Sequence, residues 1–209
     1  MNYLEALSRR YSVKKFNPEM IIPQDTLLNI LESGKLAASS LGLQPYKIFV
    51  VESREMKEKL IQAFYNPSQI STCSHLIILV SKKNIEKNYL DGYFKHISEV
   101  RHQPVESLDL FRNSITGHFS RQEHDDILNW AEKQSYIVLA NLMYAAAIEN
   151  IDTCPMEGFR QDIIEEILDI DSEKEKVTVT LALGYRSEED QFQNMKKVRK
   201  PNDKLFKFI

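Results

Sequence analysis

The residues of this chain best suited to chemistry lie in two short basic runs. Arg9 to Phe16 reads RRYSVKKF and sets Arg9, Arg10, Lys14 and Lys15 around one hydroxyl, Ser12, with Tyr11 among them. Lys196 to Lys200 reads KKVRK and lies near the other end of the sequence. Arginine supplies a planar fork of donors, lysine a compact charge and serine a neutral donor, so the set suits an anion such as a phosphate. The chain as a whole carries a formal net charge of -3, which makes both runs local features. Charge alone leaves two readings open: two solvated ends, or two halves of one anion site.

Other chemistries are poorly served. The six glycines, Gly34, Gly42, Gly92, Gly117, Gly158 and Gly184, are too scattered for a GxGxxG turn or a phosphate-binding P-loop. No GxSxG nucleophile elbow occurs. The five histidines have neither HExxH nor Cys/His ligand spacing, so no metal ligand is expected among them. Cys73 and Cys154 lack CxxC spacing and read as buried free thiols. No protein nucleophile is expected. If a phosphate is held, charged side chains must do most of the holding.

These residues need a scaffold, and 209 residues at 43% hydrophobic content suit one domain with a full core. No apolar run approaches the roughly 20 residues that cross a bilayer, and MNYLEALSRR lacks the features of a signal peptide. The expectation is a cytoplasmic protein with neither a membrane nor a nucleic acid as partner. A short helix is expected over 2–9, a turn at Asn17-Pro18 and a helix from about Gln24. Strands are expected at 46–53, 75–83 and 176–185, the second so continuously apolar that it should be central. Between them fall a helix over 54–64 and a mixed helical excursion over about 84–123, broken near Gln103-Pro104. Residues 124–151 form the longest expected helix, apolar nearly all round in its second half and so in need of cover on every side.

Arg10 to Phe16 resembles the R-x-S-x-[KR]-x-[FY] opening of the FMN-dependent nitroreductase family, and further landmarks follow in the family's order. AASSLGLQPYKIFVV (37–51) is similar to its small-residue loop and first core strand. CPMEGF (154–159) resembles its P-x-E-G-F loop, and KVRKP (197–201) its terminal K-x-R-x-P. The spacing is most similar to that of the oxygen-insensitive NAD(P)H nitroreductase and dihydropteridine reductase type. The resemblance covers nearly the whole chain, with 84–123 the least matched part.

It implies an α+β, nitroreductase-like fold, with helices around a mostly antiparallel sheet. Residues 1–209 would form a single domain whose C-terminal tail is exchanged with a partner subunit. It implies FMN as cofactor and NADH or NADPH as hydride donor. The hydride would pass to nitro compounds or quinones as small-molecule acceptors in a ping-pong sequence. Enones, pteridines or free flavin are alternative acceptors, and a flavin-sequestering protein is an alternative role. Arg10, Ser12, Lys197 and Arg199 match the positions that grip the phosphate, and Tyr11 lies among them. Lys14 matches a lysine at the flavin's pyrimidine edge, where its charge favours the reduced anion, and Asn66 an asparagine at the same edge. Pro155, Met156, Glu157 and Gly158 match the loop over the ring, through backbone N–H groups. The loop Ala38 to Gly42, with Ser39 and Ser40, would come from the partner of a homodimer.

Several positions depart from the family pattern. Gln69 stands where the closest relatives have a second lysine, Leu41 and Gly42 replace threonine and asparagine, and Tyr46 replaces tryptophan. Thr116 falls where a substrate-stacking phenylalanine is usual, leaving Phe111 or Phe119 as substitutes, though aromatic residues in this segment also fit plain packing.

Overall fold

The computed structural model describes residues 2–209. A four-stranded, wholly antiparallel sheet runs β1 (Tyr46–Val51), β2 (His75–Lys82), β4 (Glu175–Gly184), β3 (Asp152–Met156). The fold is therefore α+β, as the family resemblance implied. Apolar alternation explains the sheet's position. Leu76, Ile78 and Val80 of β2 face one core, with Val177 and Ala182; Ile77 and Leu79 face the other, with Val179 and Leu181. A strand buried on both faces has no polar side to show, which is why β2 reads as one apolar run.

Three strands match the expected ones and the fourth, β3, was not expected as a strand. Its sequence DTCPM lacks alternation and contains Pro155, which cannot donate to a ladder. The strand lies at the edge of the four-stranded ladder, beside β4, where a proline is tolerated.

One face of the sheet is covered by α2 (Gln24–Lys35) and α7 (His124–Ile148), through Leu27, Ile30, Val138 and Leu142. The other is covered by α3 (Arg54–Leu60), α4 (Ser68–Thr72) and α8 (Gln161–Ile167). The excursion forms α5 (Lys87–Arg101) and α6 (Asp109–Phe119), separated by His102 in a left-handed conformation at φ 52° ahead of Pro104. It has its own cluster of Leu90, Phe94, Ile115 and Phe119 against Ile127 and Trp130. Among the described residues, no helix is long and apolar enough to cross a membrane.

The basic octet is tied into this core. After α1 (Tyr3–Arg9) the chain extends, and Val13 and Phe16 are both fully buried. Phe16 lies against Gly184 at the end of β4, where an added Cβ would meet its ring at 2.9 Å. That contact needs glycine. Truncating Phe16 to alanine would cost about 3–5 kcal/mol and release the segment that carries the cations.

Candidate functional site

The octet runs along the outer edge of β3. Ser12 pairs with Thr153 in a parallel bridge, Val13 N donates to Thr153 O at 3.2 Å, and Phe16 pairs with Arg186. Because successive side chains in extended backbone alternate, burying Val13 turns Ser12 and Lys14 the other way. The carboxylate of Asp190, itself buried, fixes the register. Its Oδ2 accepts from Lys14 N at 2.7 Å and Lys15 N at 3.1 Å, and its Oδ1 from Phe192 N at 2.9 Å. Burial alone would raise the Asp190 pKa, but these N–H groups outweigh it and hold the acid below its ordinary value. Arg186 donates from Nε to Asp152 Oδ2 at 3.0 Å and stacks over the Tyr11 ring at 4.7 Å. The Tyr11 hydroxyl is buried without a hydrogen-bond partner; burial and the nearby Asp190 push its pKa up to about 12.

The two basic runs meet. Lys197 Nζ donates to the carbonyls of Leu7, at 2.6 Å, and of Arg10. A cleft of about 480 Å³ opens there, lined by Arg9, Arg10, Lys14, Arg186, Lys197 and Arg199 among others, and by no carboxylate. Arg10 Nη1 is buried and unpaired. Burial and the adjacent Arg199 lower the Arg10 pKa, and burial, Arg10 and Arg199 lower that of Lys197. Cations that depress one another in the absence of a counter-charge form a receptor for an anion.

A second group lies beside the first. Lys14 Nζ is 3.9 Å and Gln69 Nε2 3.8 Å from the sulfur of Cys154 on β3. Gln69 is 2% exposed, and its Oε1 has no partner. The Cys154 thiol is pushed up by burial, with Lys14 opposing. Ser68 Oγ donates to Lys14 O at 2.9 Å, and the exposed Asn66 precedes it, its Oδ1 accepting from Ser68 N at 3.4 Å. Pro155 and Met156 close β3, and Glu157 and Gly158 follow as an exposed loop. Tyr65 N donates to Gly158 O at 3.1 Å and Arg160 N to Ala63 O at 2.7 Å, so the loop is held from both sides. The Glu157 carboxylate accepts from Tyr136 Oη of α7 at 2.5 Å; burial, then Glu157, push that phenol up to about 12. An added Cβ on Gly158 would find only Tyr65 Cδ2, at 3.5 Å, so the chain's own packing does not require glycine there.

Arg10, Tyr11, Ser12, Lys14, Asn66, Gln69, Pro155 to Gly158, Lys197 and Arg199 are thus gathered around the β3 edge. Ser39 and Ser40 make their hydrogen bonds elsewhere: Ser39 Oγ accepts from Gln44 N at 3.0 Å, and Ser40 N donates to Gln134 Oε1 at 2.8 Å. Asp190 and the Asp152–Arg186 pair were not foreseen. Asp190 bonds to backbone N–H groups, and Asp152 pairs with an arginine 34 residues away, so neither leaves a spacing in the sequence to read.

The sequence profile described as the nitroreductase family matches residues 7–185 of this chain. The chain belongs to the nitroreductase family. A Staphylococcus haemolyticus protein with a provisional NAD(P)H nitroreductase name is 35% identical over 99% of this chain and 96% of its own length. A Staphylococcus epidermidis crystal structure, provisionally described as an NAD(P)H:FMN oxidoreductase, superposes with a TM-score of 0.87 at 26% identity, covering 100% of this chain and 96% of its own. A provisionally described nitroreductase from Exiguobacterium sibiricum, crystallised in complex with FMN, shares the fold at a TM-score of 0.86 and 22% identity, covering 100% and 98%. The structure of this nitroreductase-family member also places the aromatic and hydroxyl residues of the excursion. Phe119 is buried edge-on against Trp130 as part of the excursion's core, whereas Phe111 is 44% exposed. Thr116 returns its hydroxyl to Arg112 O at 2.9 Å.

Proposed function

We propose that this protein is an FMN-dependent oxidoreductase that carries hydride from NADH or NADPH to small acceptors, with nitro compounds and quinones as the expected classes. The observation that carries the reading is the convergence of Arg10, Lys197 and Arg199 on a cleft without a carboxylate, with Arg10 and Lys197 both depressed in pKa. A phosphate dianion relieves that repulsion and gives the buried Arg10 Nη1 an acceptor. The orphaned Gln69 Oε1 and the Lys14 ammonium, grouped at Cys154, suit the polar edge of a flavin ring. Gly158 leaves room for a ring against the backbone.

FMN, when bound, supplies a two-electron carrier that takes a hydride from the nicotinamide and gives it to the acceptor in turn, a ping-pong sequence. The chain's own residues bind and orient. Arg10, Ser12, Lys197 and Arg199 would hold the phosphate, and Lys14 would place positive charge at the ring edge. The backbone N–H groups of Glu157 and Gly158 would serve as donors to the ring. The Glu157 carboxylate accepts from Tyr136, which fixes its position, and the reading asks no acid or base role of it.

The same reading makes the protein a homodimer. Tyr136, Ile137, Tyr144 and Ile148 lie exposed along α7, and Phe206, Phe208 and Ile209 lie exposed on the tail. Cover from a second copy would bring Ser39 and Ser40 to its partner's flavin.

Purification tests this directly. The expected result is a yellow dimer with one FMN per chain, bleached without air by NADH or NADPH and recoloured by a nitroaromatic or quinone. A colourless monomer that gains no flavin absorbance with added FMN would overturn the proposal. Bound FMN that neither nicotinamide bleaches would assign a sequestering role instead.

A further inference from the structure

We infer that Asp190 is the positioning residue that joins the two halves of the anion grip, so that phosphate recognition depends on a carboxylate outside the cleft. The inference rests on the flavin reading above for the identity of the anion. A carboxylate beside a phosphate site would ordinarily oppose binding. Here its charge is taken up by three backbone donors, Lys14 N and Lys15 N on Oδ2 and Phe192 N on Oδ1. Two of these belong to the N-terminal octet and the third to the tail that leads to Lys197 and Arg199. One side chain therefore spans two segments that are 176 residues apart at the Lys14 contact.

The other ties between these segments hold different places. Ser187 N donates to Lys15 O at 3.0 Å and Asn17 N to Tyr185 O at 2.7 Å, which ties this segment to the first three residues after β4 but does not reach Phe192 or the residues that follow it. The Lys15–Glu189 pair is exposed on both sides and contributes little. Lys197 bonds to Leu7 and Arg10 carbonyls, but through a flexible side chain. Asp190 is 2% exposed and bonds to the backbone of both segments, so it sets where the tail starts and how Lys14 and its neighbours are presented. Charge-assisted bonds to backbone N–H groups are the stronger kind.

The test is binding of FMN and riboflavin to apoprotein, by flavin fluorescence, for wild type, Asp190→Asn, Arg199→Ala and the double variant. Asparagine keeps the size but turns one acceptor into a donor, so one of the two segments is let go. Asp190→Asn is expected to weaken FMN at least 10-fold and riboflavin less than 3-fold. The penalty of Arg199→Ala should shrink at least 3-fold in the Asp190→Asn background. Equal losses for the two ligands, or additive penalties, would show a merely structural carboxylate and overturn the inference. Hydrogen exchange on wild type needs neither ligand nor variant: the amides of Lys14, Lys15 and Phe192 should share one protection factor within about 3-fold, as one clamp requires. Independent exchange of the three would also overturn it. A wild type that binds no flavin yet shows the shared protection would refute the flavin reading and leave the clamp standing.

Discussion

Replacing Gly158 by alanine separates what the chain needs from what its ligand needs. Gly158 is exposed and does not have a positive φ, and the nearest atom to a Cβ there is Tyr65 Cδ2 at 3.5 Å, an ordinary contact. With no strain to add, alanine lowers the entropy of the unfolded chain and should stabilise the apoprotein by ~0.4–1 kcal/mol. For a domain of this size that is a rise in Tm of roughly 1–4 °C. A methyl group between this backbone and a ring packed on it is overpacking, which costs ~1–3 kcal/mol. FMN should then bind roughly 5- to 150-fold more weakly. Thermal melts of apo and FMN-loaded protein, with a fluorescence titration, read both effects. A lower apo Tm would refute the description of the loop. An unchanged Kd would refute the placement of the ring against Gly158.

Arg199→Ala should weaken FMN by ~1.5–3 kcal/mol, the size of a charge-assisted bond, and leave riboflavin nearly unchanged in the same titration. Lys14→Met removes the ammonium 3.9 Å from Cys154; if its net share is ~1–2 kcal/mol, the two-electron midpoint potential of bound flavin should fall by roughly 20–45 mV, and potentiometry giving an unchanged value would refute its placement at the ring. The Asp190 pKa lies below its ordinary 3.8, so the stability it contributes is present above 3.8 and lost as the pH falls through its folded value. Urea unfolding of wild type and Asp190→Asn should accordingly converge below pH 3.8, and a gap that stays constant there would assign Asp190 no such contribution. Tyr93→Phe removes the hydroxyl that donates to Leu41 O at 2.9 Å, beside Gly42 at φ 72°, and should cost ~0.5–1.5 kcal/mol in the same assay.

Much of the scaffold could be read in advance because burial leaves a pattern. β2 is apolar on both faces and its sequence says so; the break between α5 and α6 coincides with Pro104, and Asn17-Pro18 forms a turn in which Glu19 N donates to Asn17 Oδ1 at 3.0 Å. The meeting of Arg10 with Lys197 and Arg199 was legible through the family resemblance; charge alone left it open. β3 and the short helices α4 and α8 were not legible. A five-residue edge strand containing proline has too few alternating positions, and one or two turns of helix have too little periodicity. Asp190 was hidden for a different reason. Its partners are N–H groups, which every residue but proline has, so nothing in the side-chain types of Lys14, Lys15 or Phe192 announces it.

The proposed anion grip is built from two segments far apart in sequence, which gives its synthesis an order. Arg199 follows Arg10 in the sequence by an interval that takes roughly 10 to 40 s to synthesise at about 5–20 residues per second. For most of that interval the nascent chain displays Arg10 and Ser12 without Asp190, Lys197 or Arg199, so under the proposed flavin reading it would compete poorly for flavin with finished protein. The strands are complete by Gly184, before any of the tail residues emerge. Under that reading cofactor capture would follow the sheet in time, and a chain terminated before Lys197 should enter turnover empty.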